Sequence, residues 1–344
     1  MPRTFLQACA LDAPAAALSW LGRRGTQAVA ALVLIGIAVP SIGALLKPFV
    51  TEAIFVLLCV AFLRVDPAAF RGYLGRPAIV LAATAWTSVV IPVLFGTSCL
   101  VFRLQDHSPD LFLALILQAT ASPMMAAPAL AALMGLDSTL VLVTLVASTA
   151  LIPFTAPLFT YAFIGTGLTV SPLGLGLKLF AILAGSALVG VIVRRMAGPV
   201  AIESHTDKIN GVNILVLFVF VAAVMESVAA RFLAAPMMAV ALTVLAFVVY
   251  FAVLVLTGAL FGRAGRERAF VLGLMASQRN MGLMLAATGG TLPDLTWFYF
   301  ALSQFPIYLS PHLLRPMARR LVARAGAAPG PAGAYGPCDS KRGT

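Results

Sequence analysis

The chain has 344 residues, of which 61% are apolar and only 10% charged, against roughly 25% charged in ordinary soluble domains. Mean hydropathy is +1.02. So little charge cannot cover a water-facing surface, which excludes a soluble globular enzyme, a disordered chain and a secreted disulfide scaffold. What remains is an all-α polytopic membrane protein. Its 23 Lys and Arg against 12 Asp and Glu read as topology, since basic residues collect on the cytoplasmic side, and not as nucleic-acid binding. Cys9, Cys59, Cys99 and Cys338 lie far apart without CxxC or CxxH spacing. Neither a disulfide framework, a metal site nor a cofactor is expected.

Charge-free runs predict ten transmembrane helices in chain order. They are Ala28–Leu46, Phe49–Leu63, Pro77–Phe102, Leu111–Leu136, Ser138 to about Ile164, about Leu173–Val193, about Ile209–Met225, Phe232–Leu260, Ala269–Gly290 and about Leu295–Leu314. The 40-residue run from Ser138 to Leu177 is too long for one span and breaks at Gly165-Thr166-Gly167 and Ser171-Pro172, a turn signal. With the N-terminus inside, 18 of the 23 basic residues fall on inner segments. Only Lys47, Arg103, Lys178 and Arg231 fall outside, and Arg279 falls on neither side. A wrong count would scramble that separation.

Both ends are therefore expected in the cytoplasm, in the inner (plasma) membrane. Residues 1–26 form a cytoplasmic segment with no convincing cleavable signal, because Arg23-Arg24 sit directly before a full span. Residues 27–320 form a ten-helix transporter domain, and the Gly/Ala/Pro-rich residues 321–344 a disordered tail. Five spans lie on each side of the mid-chain turn. An odd number inverts the halves, about 27–164 and about 172–316, as in many secondary transporters.

Spans four and nine are irregular. Span four carries Gln118, Thr120, Ser122, Pro123 and Pro128 near its middle. Each proline removes a backbone donor and costs about 3 kcal/mol in a regular helix. A plain kink is the alternative to a true break. Span nine reads Ser277-Gln278-Arg279-Asn280 between apolar flanks. Arg279 follows Arg268 by 11 residues, roughly 16 Å of helix, about half the ~30 Å hydrocarbon core. A charge there must face protein, water or an anion. Either helix-end carbonyls satisfy it or it belongs to a binding site. Two interrupted spans at matching places point to a midplane site, with Gln118, Ser122, Ser277, Gln278, Arg279 and Asn280 as the polar lining.

Other residues give blander readings. His107, His205 and His312 fall in loops or at span ends, away from any embedded acid, which argues against an intramembrane enzyme. Glu226 and Arg231 read as solvated interface residues. Gln304 reads equally as a structural hydrogen bond or a ligand contact, and Asp137 as a turn residue or helix cap in preference to a proton carrier. Trp86, Phe95, Trp297 and Tyr299 read as interfacial or lipid-facing aromatics.

The stretches from Ser122 to Pro157 and from Gln278 to Ala286 resemble the bile acid:sodium symporter family in its wider bacterial sense. The resemblance spans about residues 27–320. Leu133, the Gly135–Asp137 turn, Ser148-Thr149 and Pro153 match its first crossover motif, and Asn280, Gly282 and Leu283 its second. It implies ten spans in two inverted five-helix repeats, broken helices four and nine crossing in a core domain, and a panel of spans one, two, six and seven.

The departures are as informative. Met275 stands where sodium-coupled members have an acid, and Arg279 where they have glutamine. Ala127 and Pro128 replace a Ser-Asn pair, and Val141 and Leu145 replace span-five hydroxyls. The resemblance therefore implies a secondary transporter of a small organic, anionic solute whose usual sodium sites are lost. Arg279 either replaces a sodium ion electrostatically or binds the anion. The alternatives are a sodium- or proton-coupled transporter or exporter of another small solute, or a non-transporting membrane sensor. The expected partners are the solute and the lipid bilayer.

Overall fold

The computed structural model describes residues 16–24, 31, 34–36, 38–65, 77–165 and 170–326. Among the described residues the chain is helical, and its only β-type pairing is one isolated bridge. Among the described residues six helices are long and apolar enough to cross a membrane, so this is a multi-pass membrane protein. Most of the predicted N-terminal segment, parts of span one, the connection bearing Arg71 and Arg76, the Thr166-Gly167 part of the mid-chain turn and the tail beyond Gly326 lie outside the described residues.

The helices are α1 (Pro40–Leu46), α2 (Val50–Leu63), α3 (Pro77–Val101), α4 (Pro109–Thr120), α5 (Ala127–Leu133), α6 (Ser138–Ile164) and α7 (Pro172–Ala197). They continue with α8 (Thr206–Met225), α9 (Val228–Ala234), α10 (Pro236–Leu260), α11 (Arg266–Ser277), α12 (Met281–Ala287) and α13 (Asp294–Gly326). Several begin on a proline, whose fixed φ suits the first turn and whose missing N–H has no partner to lose there. Side chains cap three starts: Asp137 accepts from Leu140 N, Ser171 from Gly174 N and Asn280 from Leu283 N. Asp137 is thus a helix cap.

Boundaries differ from expectation in three places. The predicted eighth span begins at Pro236, after the separate short helix α9. The last helix runs on to Gly326, several residues into the predicted tail. In α3 a single π turn, Trp86–Val90, interrupts the α-helix.

Two packing groups organise these elements. In one, α2 packs against α7 and α8, and α1 against α8. Glycines allow the close approach: a Cβ on Gly36 or Gly43 would collide with the α8 backbone at Ala222. In the other group α10 packs on α11 and α13, while α6 packs on α3, α4, α5 and α11. The groups touch where α12 meets α2 and α7, where α8 meets α13, and along α6 and α7. At that last seam Pro157 has no N–H to offer the Pro153 carbonyl four residues back. Gly176 of α7 lies directly against that carbonyl.

Three aromatics expected at lipid or interface are buried instead. Tyr299 and Trp297 lie inside α13's contacts, and Trp86 is turned inward, its Nε1 donating to Thr257 Oγ1 at 2.9 Å. Trp86 Nε1 and Tyr299 OH each donate to an internal acceptor, which overrides the general preference for the interface.

Candidate functional site

The two irregular spans are true breaks. Helix α4 ends at Thr120, residues 121–126 are non-helical and α5 starts at Ala127. Helix α11 ends at Ser277, residues 278–280 are extended or bridging and α12 starts at Met281. The two breaks pair with each other. Met124 N donates to Gln278 O and Asn280 N to Ser122 O, both at 2.7 Å, around an antiparallel bridge between Pro123 and Arg279. Those two bonds make Pro123 and Arg279 a non-hydrogen-bonded pair, a position that asks no N–H of Pro123. Backbone groups freed by the breaks thus satisfy one another, as an apolar surrounding demands.

Arg279 is 4% exposed. Its Nη1 donates to Ala121 O at 2.9 Å and to Thr87 O at 3.2 Å. Ala121 O is an orphan carbonyl at the C-terminal end of α4, where a cation is also favoured by the helix dipole. Nη2 has no hydrogen-bond partner.

Arg279 also lines a cavity of about 330 Å³, within the usual size range of small-molecule sites. One wall is a stripe of α2 running from Ile54 through Leu57, Leu58 and Ala61 to its C-cap Arg64, ten residues on or roughly 15 Å. Asn213, Leu217 and Phe220 of α8 continue it. The facing wall comes from the crossing (Met124, Met125, Asn280), the start of α12 (Met281, Gly282) and α13 (Gln304, Tyr308). The cavity therefore lies between the two packing groups. Arg64 and Arg279 line it, and among the described residues no Asp or Glu does.

The structure separates the six predicted lining residues. Arg279 and Asn280 line the cavity; Gln118, Ser122, Ser277 and Gln278 are buried behind it. Gln118 Oε1 accepts from Tyr299 OH at 2.8 Å. Ser277 Oγ donates to Leu274 O of its own helix, and Gln278 Nε2 reaches Ser310 Oγ at 3.4 Å. Ser122 Oγ is buried without a partner. Gln304, read either way from sequence, does reach the cavity, while its Nε2 donates to Phe300 O. Arg64, Asn213 and Tyr308 were not anticipated. Asn213 carried a signal, being with Asn210 one of two amides in an otherwise apolar run. Glu226 and Arg231 are ion-paired, with Lys47 at 2.9 Å and Asp294 at 3.1 Å.

Residues 51–235 match the Sodium Bile acid symporter family. The chain belongs to that family. No curated protein matches it. The family is one of membrane transporters, so the paired breaks and the cavity beside them sit in a transport fold. The matched stretch covers α2 to α9 and includes the first break. It stops before the second, which holds Arg279.

Proposed function

We propose that this protein is a secondary transporter that moves a small organic anion by alternating access, without the sodium coupling of its family. The observation that carries this is Arg279. One guanidinium nitrogen is tied to the carbonyls of Ala121 and Thr87, the other is buried without a partner, and the residue lines a cavity to which no Asp or Glu among the described residues contributes. A fixed charge there occupies the helix-end carbonyl that a mobile cation would use, and repels that cation at short range. It leaves donor capacity for a carboxylate, sulfate or similar group, and the apolar stripe of α2 suits an organic body.

Ten helices in two inverted repeats are the architecture we assign. Gly36 packs at Ala222 of α8, and Ile54 and Phe220 of α8 both flank Gly282. Residues 18 apart in sequence thus sit at nearly the same level of α8, which supports two antiparallel arms joined at the 3-10 turn Lys47–Phe49. Counting α4 with α5 and α11 with α12 as single broken spans then gives ten, with the breaks fourth and ninth. On this reading residues 27–320 are the transporter domain, 1–26 and 321–344 lie in the cytoplasm, and the membrane is the inner (plasma) membrane. The cavity wall reaches Arg64 and Val65, which this topology puts on the inner side, so we assign this conformation as inward-facing.

The test is uptake by the full chain in proteoliposomes. Replacing external sodium by potassium or choline should leave anion uptake unchanged, and Arg279→Gln should lower it about ten-fold or more, the worth of one charge-assisted hydrogen bond in a dry site. Saturable sodium dependence, or full uptake by Arg279→Gln, would overturn the proposal.

A further inference from the structure

Arg279 needs Thr87 O, yet a carbonyl in the middle of a helix is ordinarily consumed by its own helix. In α3 it is not. Within the π turn, the Ile91 N–H reaches back five residues to Trp86 O, leaving Thr87 without its usual donor four residues on. The next donor that a π register would offer belongs to residue 92, a proline with no N–H. Thr87 O therefore points at Arg279 Nη1 with no competing helical donor. The π turn is anchored on both sides: Thr87 Oγ1 meets Ser148 Oγ of α6 at 2.8 Å, and Trp86 Nε1 donates to Thr257 of α10.

We propose that Pro92 is a positioning residue for Arg279: by denying Thr87 a helical donor, it keeps that carbonyl free to hold Nη1, and so fixes the orientation of a guanidinium whose residue lines the cavity. Pro92 does not line the cavity, and its side chain has no polar atom with which to bond the guanidinium. It acts through a missing hydrogen atom on the opposite side of the broken-helix crossing. The consequence for anion selection rests on the transport reading above; the positioning itself does not.

The experiment uses the full chain, ¹⁵N-arginine labelled, in liposomes. The Arg279 side-chain signal is assigned by its loss in Arg279→Lys. In the parent protein Nη1 and Nη2 should give separate signals because rotation about the guanidinium bond is slow. Pro92→Ala and Pro92→Leu both restore an N–H while differing in packing. Both should speed the exchange between the two nitrogens about ten-fold, as expected for losing one hydrogen bond to a charged group. A second arm compares arylalkanoates, from 3-phenylpropionate to 5-phenylvalerate, with their neutral amides as thermal stabilisers. Both variants should lose most of the parent's preference for the carboxylates. Unchanged exchange in either folded variant overturns the proposal, as does an effect confined to one of them, which would mark packing as the cause. Faster exchange in both, with no carboxylate preference in the parent, would uphold the positioning role and overturn the anion reading instead.

Discussion

Buried polar side chains in this core divide into those that close on protein and those that keep a free atom. Gln118 and Tyr299 belong to the first kind: both are buried and bonded to each other at 2.8 Å, away from the cavity. Tyr299→Phe should leave the Gln118 oxygen unpaired in an apolar surrounding, at a cost of roughly 1–3 kcal/mol. We expect a lower unfolding midpoint for the purified protein with an unchanged KM for uptake. A raised KM in a stably folded variant would return Gln118 to the binding site. Arg279 belongs to the second kind, with Nη2 unpaired. Sequence marked both residues as anomalies, because a polar group inside an apolar run is visible without a structure. It could not sort them. A break resets the helical phase, so 3.6-residue periodicity no longer says which side of the chain faces the cavity. Arg64 and Tyr308 were hidden for a different reason: one looked like a loop arginine and the other like one of several span-ten aromatics.

The broken helices were legible as elements, since proline pairs and a four-residue polar run have few other uses in an apolar span. That the two breaks pair through backbone hydrogen bonds was not, because pairing between residues more than 150 apart leaves no local pattern. Nor was the π turn, which adds one residue to a uniformly apolar helix and changes no composition. At this scale Asn280 carries two duties: its Oδ1 caps α12 through Leu283 N at 3.2 Å, and it lines the cavity. The duties can be separated. Asn280→Asp keeps an equally good cap, so stability should hold within about 1 kcal/mol, but it places an acid beside Arg279 and should reduce anion uptake about ten-fold. Asn280→Ala should lose about 1 kcal/mol of stability with the cap and impair uptake less. Denaturation and uptake measured on the same preparations decide this. Equal impairment by both variants would mean that Asn280 acts through the fold alone.

For the molecule as a whole, the contacts that join the two packing groups are unevenly placed. Near Arg64 the groups stand apart around the cavity. At the opposite end they are held together: Lys47 pairs with Glu226 at 2.9 Å within its own group, and its Nζ lies 5.4 Å from the Trp297 ring centroid of the other. Lys178 of α7 likewise reaches Gly289 at the end of α12, where a basic group suits the orphan carbonyls. If transport proceeds by rocking one group against the other, these contacts must open as the cavity closes. A cation over an indole in a partly desolvated place contributes about 0.5–2 kcal/mol, enough to shift a two-state population by about two-fold up to about thirty-fold. Trp297→Leu removes that term while keeping the position apolar. Spin labels at Leu173 of α7, which is exposed, and Leu292, on the closed side, should then show a longer-distance population that the parent protein lacks. Labels at Arg64 and Asp137, on the open side, should show a matching shorter one. Opposite changes are the signature of rocking, because a merely loosened helix would broaden one distance and leave the other where it was.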